Sequence, residues 1–91
     1  MKNKEYLLKG RDGNFVVTGT LRTITIDDTT YKIIFNKINN RLFNASEYYT
    51  GLAFDCCYPT IKETLSVVID KIKNAKVYID NTIKHTPHIN K

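Results

Sequence analysis

The sequence has no tryptophan, only two cysteines and two histidines, and no long apolar run. No run approaches the roughly 18 apolar residues that a membrane-spanning helix needs, so we expect no contact with a membrane. The basic start of the chain, from Met1 to Tyr6, is followed by no apolar core, which argues against a secretory signal and favours the cytoplasm. Cys56 and Cys57 are adjacent, and a disulfide between neighbours needs a strained turn. We therefore expect free thiols, with Cys56 buried and Cys57 less buried.

Motifs for catalysis and metal binding are also lacking. The chain has no Ser/His/Asp order, no glycine-rich phosphate loop and no paired-carboxylate motif, and Asp27 and Asp28 point apart in a predicted turn. Two of the four possible zinc ligands are adjacent cysteines, whereas structural zinc pairs are separated by two to four residues. The other two, His85 and His88, lie on either side of Pro87 in a segment predicted to be loose. We predict no enzyme, no cofactor and no metal, and a reactive thiol at the cysteine pair is the remaining enzymatic alternative.

What the sequence does contain is enough apolar residues for one folded domain, and an excess of positive charge. Hydrophobic residues make up 42% of the chain, and 14 Lys and Arg against 9 Asp and Glu give a formal net charge of +5. We predict a single domain over residues 1–86 and a frayed tail over 87–91, because Pro87 ends the helical pattern. The charge permits binding to nucleic acid or to an acidic protein surface.

Turn signals divide the first sixty residues into strands. Gly10–Gly13, Asp27–Thr30 and Lys37–Asn40 are rich in Asp, Asn or Gly, which favour tight reversals. Between the first two turns the apolar residues change phase, which requires an extra residue or a bend, and we place it at Gly19–Thr23. The pattern predicts an antiparallel meander of four or five strands.

A capped amphipathic helix follows the strands. Thr60 and Glu63 form the capping-box pattern, in which the Thr60 hydroxyl accepts from the Glu63 N–H and the Glu63 carboxylate reaches the Thr60 N–H. Apolar residues then recur at helical spacing, at Ile61, Leu65, Val68, Ile72, Ala75, Ile79 and Ile83. We predict one long helix of roughly 25 residues packed on one face of the sheet, which makes the fold class α+β.

A single helix layer leaves the second face of such a sheet bare. The apolar residues expected on that face are Leu7, Val16, Ile34, Phe43 and Tyr49. Exposed apolar patches of this kind mark a partner surface, so we predict a protein partner or a homodimer. The predicted partner-binding residues share this face or its basic surroundings: Arg22, Lys32, Ile34, Lys37, Arg41, Phe43 and Tyr49.

A small DNA- or RNA-binding module is the alternative interpretation. Tyrosines on or near strands, with Arg and Lys close by, could stack bases and contact phosphates. No RNP-like run or Gly-x-x-Gly clamp is present, however, and tyrosine is an ordinary strand former.

The segment Ser46–Gly51, followed by Leu52, Ala53 and the capped helix, resembles small accessory proteins of phages and mobile elements. In these proteins a strand with a Thr-Gly turn leads into a final amphipathic helix, and the resemblance covers about residues 41–75. It implies a protein that acts stoichiometrically on host machinery, in some cases by inhibiting a nuclease-based defence such as a CRISPR effector. Many such inhibitors are acidic DNA mimics, from which a net charge of +5 departs. Three modes of action stay open, which are the blocking of an acidic protein surface, the binding of guide RNA and the locking of an effector as a dimer.

Overall fold

Five antiparallel strands and two helices make up the computed structural model, which describes residues 4–91. In chain order the elements are β1 Lys4–Gly10, β2 Gly13–Ile26, β3 Thr29–Lys37, β4 Phe43–Glu47, β5 Ala53–Tyr58, α1 Ile61–Asn74 and α2 Lys76–His85. The strands lie in the sheet in their chain order, so the predicted α+β class and antiparallel meander are confirmed. Neither helix in this part of the chain has the length and apolar character needed to span a membrane.

The long strand β2 serves two partners in succession. Its first half pairs with β1 as far as Lys4 opposite Gly19, and its second half pairs with β3 from Thr20 opposite Phe35 onward. The change of partner lies within Gly19–Thr23, the segment where the sequence predicts a bulge or bend. A Cβ on Gly19 would lie 2.4 Å from the Phe35 carbonyl oxygen, so this close approach of backbones requires glycine.

The β1–β2 hairpin folds back over the face of the sheet that the helices leave free. The Lys9 N–H donates to the Gly51 carbonyl at 3.0 Å, which brings β1 to the turn after β4. On the same face, Ile34 and Ser46 are each 0% exposed. The sequence pattern predicts that the second face is bare, but it is covered at its centre because the length and bend of β2 let the hairpin fold over the neighbouring strands.

The main core lies on the helix side of the sheet. Tyr31, Ile33 and Phe35 alternate along β3 and are all buried there. Val68 and Ile72, one helical turn apart on α1, are completely buried against them. Burial of each such side chain contributes on the order of 1.5–3 kcal/mol before conformational entropy is subtracted. This core fixes α1 on β4 and β5.

The start of α1 is the predicted cap, with one difference in its hydrogen bonds. The Thr60 hydroxyl accepts from the Glu63 N–H at 3.0 Å, as expected. The Glu63 carboxylate accepts from the Thr60 hydroxyl at 3.0 Å and not from the Thr60 N–H. The single hydroxyl therefore makes both contacts of the cap.

The predicted single helix is in fact two helices. α1 ends at Asn74 and α2 begins at Lys76, with Ala75 between them at φ −135° and ψ 34°. No proline or glycine causes this break. It keeps α2 beside β3, where Asp80 accepts a hydrogen bond from the buried Tyr31. Tertiary contacts with the sheet therefore override the continuous apolar spacing that predicts one helix.

The edge strand β5 contains a bulge. The β4–β5 register shifts between Asn44 and Ser46, because β5 has extra residues there. Within the bulge Asp55 has φ 56°, and the Lys71 Nζ donates to the Phe54 carbonyl at 2.8 Å. A bulge with a lysine at the strand edge is a feature that hinders pairing with another strand.

Residues 86–91 are docked on the sheet, whereas the sequence pattern predicts a frayed tail over 87–91. The Asn90 side chain is buried, accepts from the Leu7 N–H at 3.0 Å and donates to the Leu7 carbonyl at 2.7 Å. It also donates to the Tyr48 carbonyl at 2.8 Å. The Asn90 side chain thus pairs with backbone groups on the outer edge of β1 that a neighbouring strand would otherwise satisfy. This contact joins the tail to β1, which lies at the opposite end of the chain.

Candidate functional site

Four aromatic rings and one lysine meet where the β1–β2 hairpin, the turn after β4 and the docked tail converge. We call this group the tyrosine cluster: Tyr6, Lys32, Tyr48, Tyr49 and His88. Tyr6 and Tyr48 lie edge to face with ring centroids 6.0 Å apart, and Tyr48 and Tyr49 do the same at 5.0 Å. His88 stacks on Tyr49 at 4.9 Å. The Lys32 Nζ lies 5.3 Å from the Tyr48 centroid and 5.5 Å from that of Tyr49, which is cation–π range.

A buried carboxylate holds the turn that presents two of these rings. Glu47 accepts from the Tyr49 N–H at 3.0 Å, and from the N–H and the hydroxyl of Thr50, both at 2.8 Å. The Tyr48 N–H donates to the Lys32 carbonyl at 2.9 Å. Because the backbone of the turn is fixed on both sides, the two rings are held in place before any partner arrives.

The structure brings together two of the seven predicted partner-binding residues, Lys32 and Tyr49. Lys37 and Phe43 form a separate pair across β3 and β4, with the Lys37 Nζ 5.7 Å from the Phe43 ring centroid. This pair lies five residues further along β3 than Lys32, or about 16 Å at the rise of a strand. Arg41 is exposed in the turn that precedes β4, so it belongs to the Lys37 end of the sheet.

The last two predicted residues lie elsewhere. Ile34 is fully buried beneath the hairpin and offers a partner no surface. Arg22 pairs with Ile33 on the helix-side face, half-buried. Its Nε is shielded from solvent and has no hydrogen-bond partner within residues 4–91. The predicted set therefore does not form one surface.

A cleft flanks α2 on each side. The first, of about 290 Å³, lies between α2 and the start of β5 and is mainly apolar, with Leu52, Phe54 and Ile79 in its wall. The second, of about 270 Å³, lies between α2 and β3 and reaches Tyr49 and His88 of the tyrosine cluster. No residue of α2 is fully buried, but the half-buried Ile79 and Ile83 pack against the main core.

Four side chains, which we call the polar latch, connect α2 to the sheet: Thr29, Tyr31, Lys76 and Asp80. The Tyr31 hydroxyl donates to Asp80 Oδ1 at 2.5 Å. The Lys76 Nζ donates to Asp80 Oδ2 at 2.7 Å and to the Thr29 hydroxyl at 2.8 Å. The latch spans the end of the β2–β3 hairpin and the first turns of α2.

Contacts within the latch shift the pKa values of its three titratable members, Tyr31, Lys76 and Asp80. Burial, and then the hydrogen bond to Asp80, raises the pKa of Tyr31. Burial acts to raise the pKa of Asp80, but the hydrogen bonds from Lys76 and Tyr31 outweigh it and lower that pKa. The hydrogen bond to Asp80 also raises the pKa of Lys76. At neutral pH the latch therefore contains a carboxylate, an ammonium and a neutral phenol.

The two thiols are free and differ in exposure as predicted, with Cys56 buried and Cys57 exposed. Burial raises the pKa of Cys56, which keeps that thiol protonated and unreactive. The Cys57 sulfur lies 4.0 Å from the amide oxygen of Asn44, which is not a base. In the described part of the chain no three His, Cys, Asp or Glu side chains are grouped so that they could hold a metal ion.

The partner-binding residues predicted from the sequence do not include Tyr6, Tyr48 or His88. Tyr6 and Tyr48 are among the tyrosines near strands that the nucleic-acid alternative invokes, and in the sequence His88 is weighed only as a zinc ligand. Tyr48 and Tyr49 are adjacent and would face opposite sides of a strand, but they lie in a turn, which brings both rings to one surface. His88 reaches Tyr49 only because the tail docks. The tyrosines near basic residues are visible in the sequence, but no local pattern encodes the meeting of the three distant segments that brings these rings together.

No protein-family model matches the chain, and neither a curated protein nor a solved structure matches it. The functional interpretation therefore depends on the chemistry of the surface and not on similarity to a protein of known function.

Proposed function

We propose that the chain is a non-enzymatic binding protein whose tyrosine cluster engages an acidic surface of a protein partner. The observation that supports this proposal is the meeting of three half-buried tyrosines with Lys32 and His88 on a rigid turn. Tyrosine offers a large amphipathic contact area with few rotatable bonds, so little conformational entropy is lost on binding. Such residues are enriched in the hot spots of protein interfaces.

The charge around the cluster favours an acidic partner. Lys84 lines the same cleft as Tyr49 and His88. Two carboxylates also line this cleft, Glu47 and Asp80, and both are engaged in internal hydrogen bonds. With a net charge of +5, attraction to an acidic surface would speed association and weaken as salt is added.

In a phage or mobile-element setting, such a protein would act stoichiometrically on host machinery in the cytoplasm of the host cell. A nuclease of a CRISPR-type defence is one such target, and binding would inhibit or modulate it. The excess of positive charge is opposite to that of a DNA mimic, which favours the blocking of an acidic protein surface.

Affinity purification from the natural host, with and without nuclease treatment, tests the proposal. We expect one stoichiometric protein to be retained under both conditions. Tyr49→Ala and Lys32→Ala should reduce its retention, by roughly 30-fold for a hot-spot tyrosine. Tyr78→Ala is the matched control, because this tyrosine is 73% exposed on α2 and lies outside the cluster. Retention that is unchanged in the cluster variants would count against the proposal.

Binding of single-stranded nucleic acid is the second candidate, and the same rings and Lys32 favour it. In the described conformation, however, Lys32 and His88 lie on the ring faces that a base would need. This reading predicts a mobility shift of RNA or DNA oligonucleotides at low salt that falls steeply with salt and is lost in Lys32→Glu. Unshifted oligonucleotides at low salt would exclude it.

A further inference from the structure

The cleft between α2 and β5 differs in charge from the rest of the molecule. The chain has a formal net charge of +5, and the cleft on the other side of α2 is lined in part by Lys84 and His88. Of the residues that the structure describes, those lining the cleft next to β5 include no Lys, Arg or His, but they include the carboxylates of Glu47 and Asp55. A basic protein thus has an acidic cleft, which favours a cationic occupant.

The carboxylate of Glu47 is the buried charged group of this cleft. Glu47 is 4% exposed, and it forms no ion pair within residues 4–91, where the single ion pair joins Lys76 to Asp80. Its hydrogen bonds come from neutral donors of Tyr49 and Thr50, of which Oε1 accepts two and Oε2 accepts one. A carboxylate has about four acceptor positions, so one position on Oε2 is left over. Buried charges are ordinarily paired with an opposite charge, and the described residues supply none to Glu47.

The walls of the cleft are mainly apolar. Leu52, Phe54 and Ile79 line it and are each half-buried, so they retain apolar surface that an occupant can cover. The volume of about 290 Å³ lies at the lower end of the range of small-molecule sites. Such sites combine apolar walls with a few polar groups that orient the ligand. The cleft therefore fits a small molecule that has one charged end and one apolar end.

We propose that this cleft binds a small organic amine, with its ammonium on Glu47 and its apolar part against Leu52, Phe54 and Ile79. The ammonium donates to Oε2 of Glu47 and supplies the positive charge that this carboxylate lacks within the fold, and Asp55 adds to the attraction. A neutral or anionic molecule of the same shape gains neither contact. The site lies apart from the rings of the tyrosine cluster, so the amine and the protein partner can each fail to bind without the other.

Titration of the isotope-labelled protein with phenethylamine, followed by NMR, tests the proposal. We expect a dissociation constant on the order of 1 mM, with shifts at the methyl groups of Leu52 and Ile79. Phenethyl alcohol has the same apolar part without the charge and should bind about ten-fold more weakly, because a charge-assisted hydrogen bond is lost. Phenylacetate, an anion, should not bind. Equal affinity for the amine and the alcohol, or shifts confined to the cleft lined by Lys84 and His88, would overturn the proposal.

Two substitutions at Ala53, an exposed residue that lines the cleft, form a matched pair of opposite charge. Ala53→Lys should weaken the binding of phenethylamine by roughly three-fold at low ionic strength, and Ala53→Glu should strengthen it by a similar factor. Glu47→Gln should remove the preference for the amine over the alcohol. Because Glu47 also holds the turn after β4, circular dichroism must first show that this variant is folded. If it is not, the Ala53 pair decides, and equal affinities in Ala53→Lys and Ala53→Glu would overturn the proposal.

Discussion

Replacement of Asn90 by alanine should release the tail and open the outer edge of β1. The change removes three hydrogen bonds, two to Leu7 and one to the Tyr48 carbonyl, at 2.7 to 3.0 Å. A net contribution of about 1 kcal/mol for each bond, with partial compensation by water at the half-buried Leu7, gives a loss of about 2–3 kcal/mol in the free energy of unfolding. This is a large effect for a residue that the helical pattern assigns to a loose end.

Urea denaturation measures this loss, and amide hydrogen exchange locates it. In the native protein the Leu7 amide should be protected, and in Asn90→Ala it should exchange much faster than amides at the centre of β3. Asn40→Ala is the matched control, because Asn40 is exposed in the turn after β3. Native stability in Asn90→Ala, or a Leu7 amide that already exchanges quickly in the native protein, would refute the docking of the tail.

Asn90→Asp sharpens the test because it retains the shape of the side chain. The amide nitrogen of Asn90 donates to two carbonyl oxygens, and a carboxylate oxygen in its place would face both without a proton. The folded state would favour the neutral acid, so the pKa of Asp at this position is expected to be higher in the folded than in the unfolded chain. The destabilisation should therefore be fully present above the folded pKa, should diminish as pH falls through that pKa, and should be absent below the unfolded pKa of about 4. A loss of stability that does not vary with pH would contradict this account.

Four smaller predictions concern the latch, the cap and the bulge. Tyr31→Phe should cost about 1–2 kcal/mol, because a buried hydroxyl no longer donates to a carboxylate, and equal urea midpoints would contradict this. Because the pKa of Asp80 is lowered in the folded state, its contribution to stability is present above its unfolded pKa of about 4 and is lost as pH falls through the folded pKa. The free energy of unfolding should therefore fall less on acidification in Asp80→Asn than in the native chain. Thr60→Ala should lower stability by about 1 kcal/mol through loss of the cap, which thermal unfolding would detect. Lys71→Met should cost about 1 kcal/mol because the Phe54 carbonyl loses its donor, and unchanged urea unfolding would show that water replaces the lysine.

The meander and the start of α1 could be predicted because several local signals agree there. The Asp and Gly residues of Gly10–Gly13 favour a tight reversal wherever they occur, and the strands on either side need only that reversal to pair. Thr60 and Glu63 are three residues apart and satisfy each other without help from the rest of the fold. Local structure that depends only on residues adjacent in the chain can therefore be predicted from the sequence.

The break at Ala75 and the docking of Asn90 could not be predicted, because both depend on distant contacts. Ala75 is itself the best helix former, whereas α2 is held on the sheet by the hydrogen bond from Tyr31 to Asp80 and by the packing of Ile79 and Ile83 against the core. Asn90 pairs with Leu7, more than eighty positions away in the sequence. The tyrosine cluster has the same origin, since it joins β1, the turn after β4 and the tail. The predicted partner-binding residues therefore do not form one surface, because the folded-back hairpin buries Ile34 and because Lys37 lies five residues along β3 from Lys32.

The tail links the stability of the fold to the proposed binding surface. His88 stacks on Tyr49, and two residues further on Asn90 binds the carbonyl of Tyr48, so the tail supports the cluster from two directions. If a partner recognises the cluster in its preorganised form, Asn90→Ala should weaken binding although Asn90 is not itself exposed. The loss should be smaller than that of Tyr49→Ala and should be measured by calorimetry at a temperature where the variant is still folded. Equal affinity of Asn90→Ala and the native chain would mean that the partner does not require the tail, and that the cluster is organised by the turn at Glu47 alone.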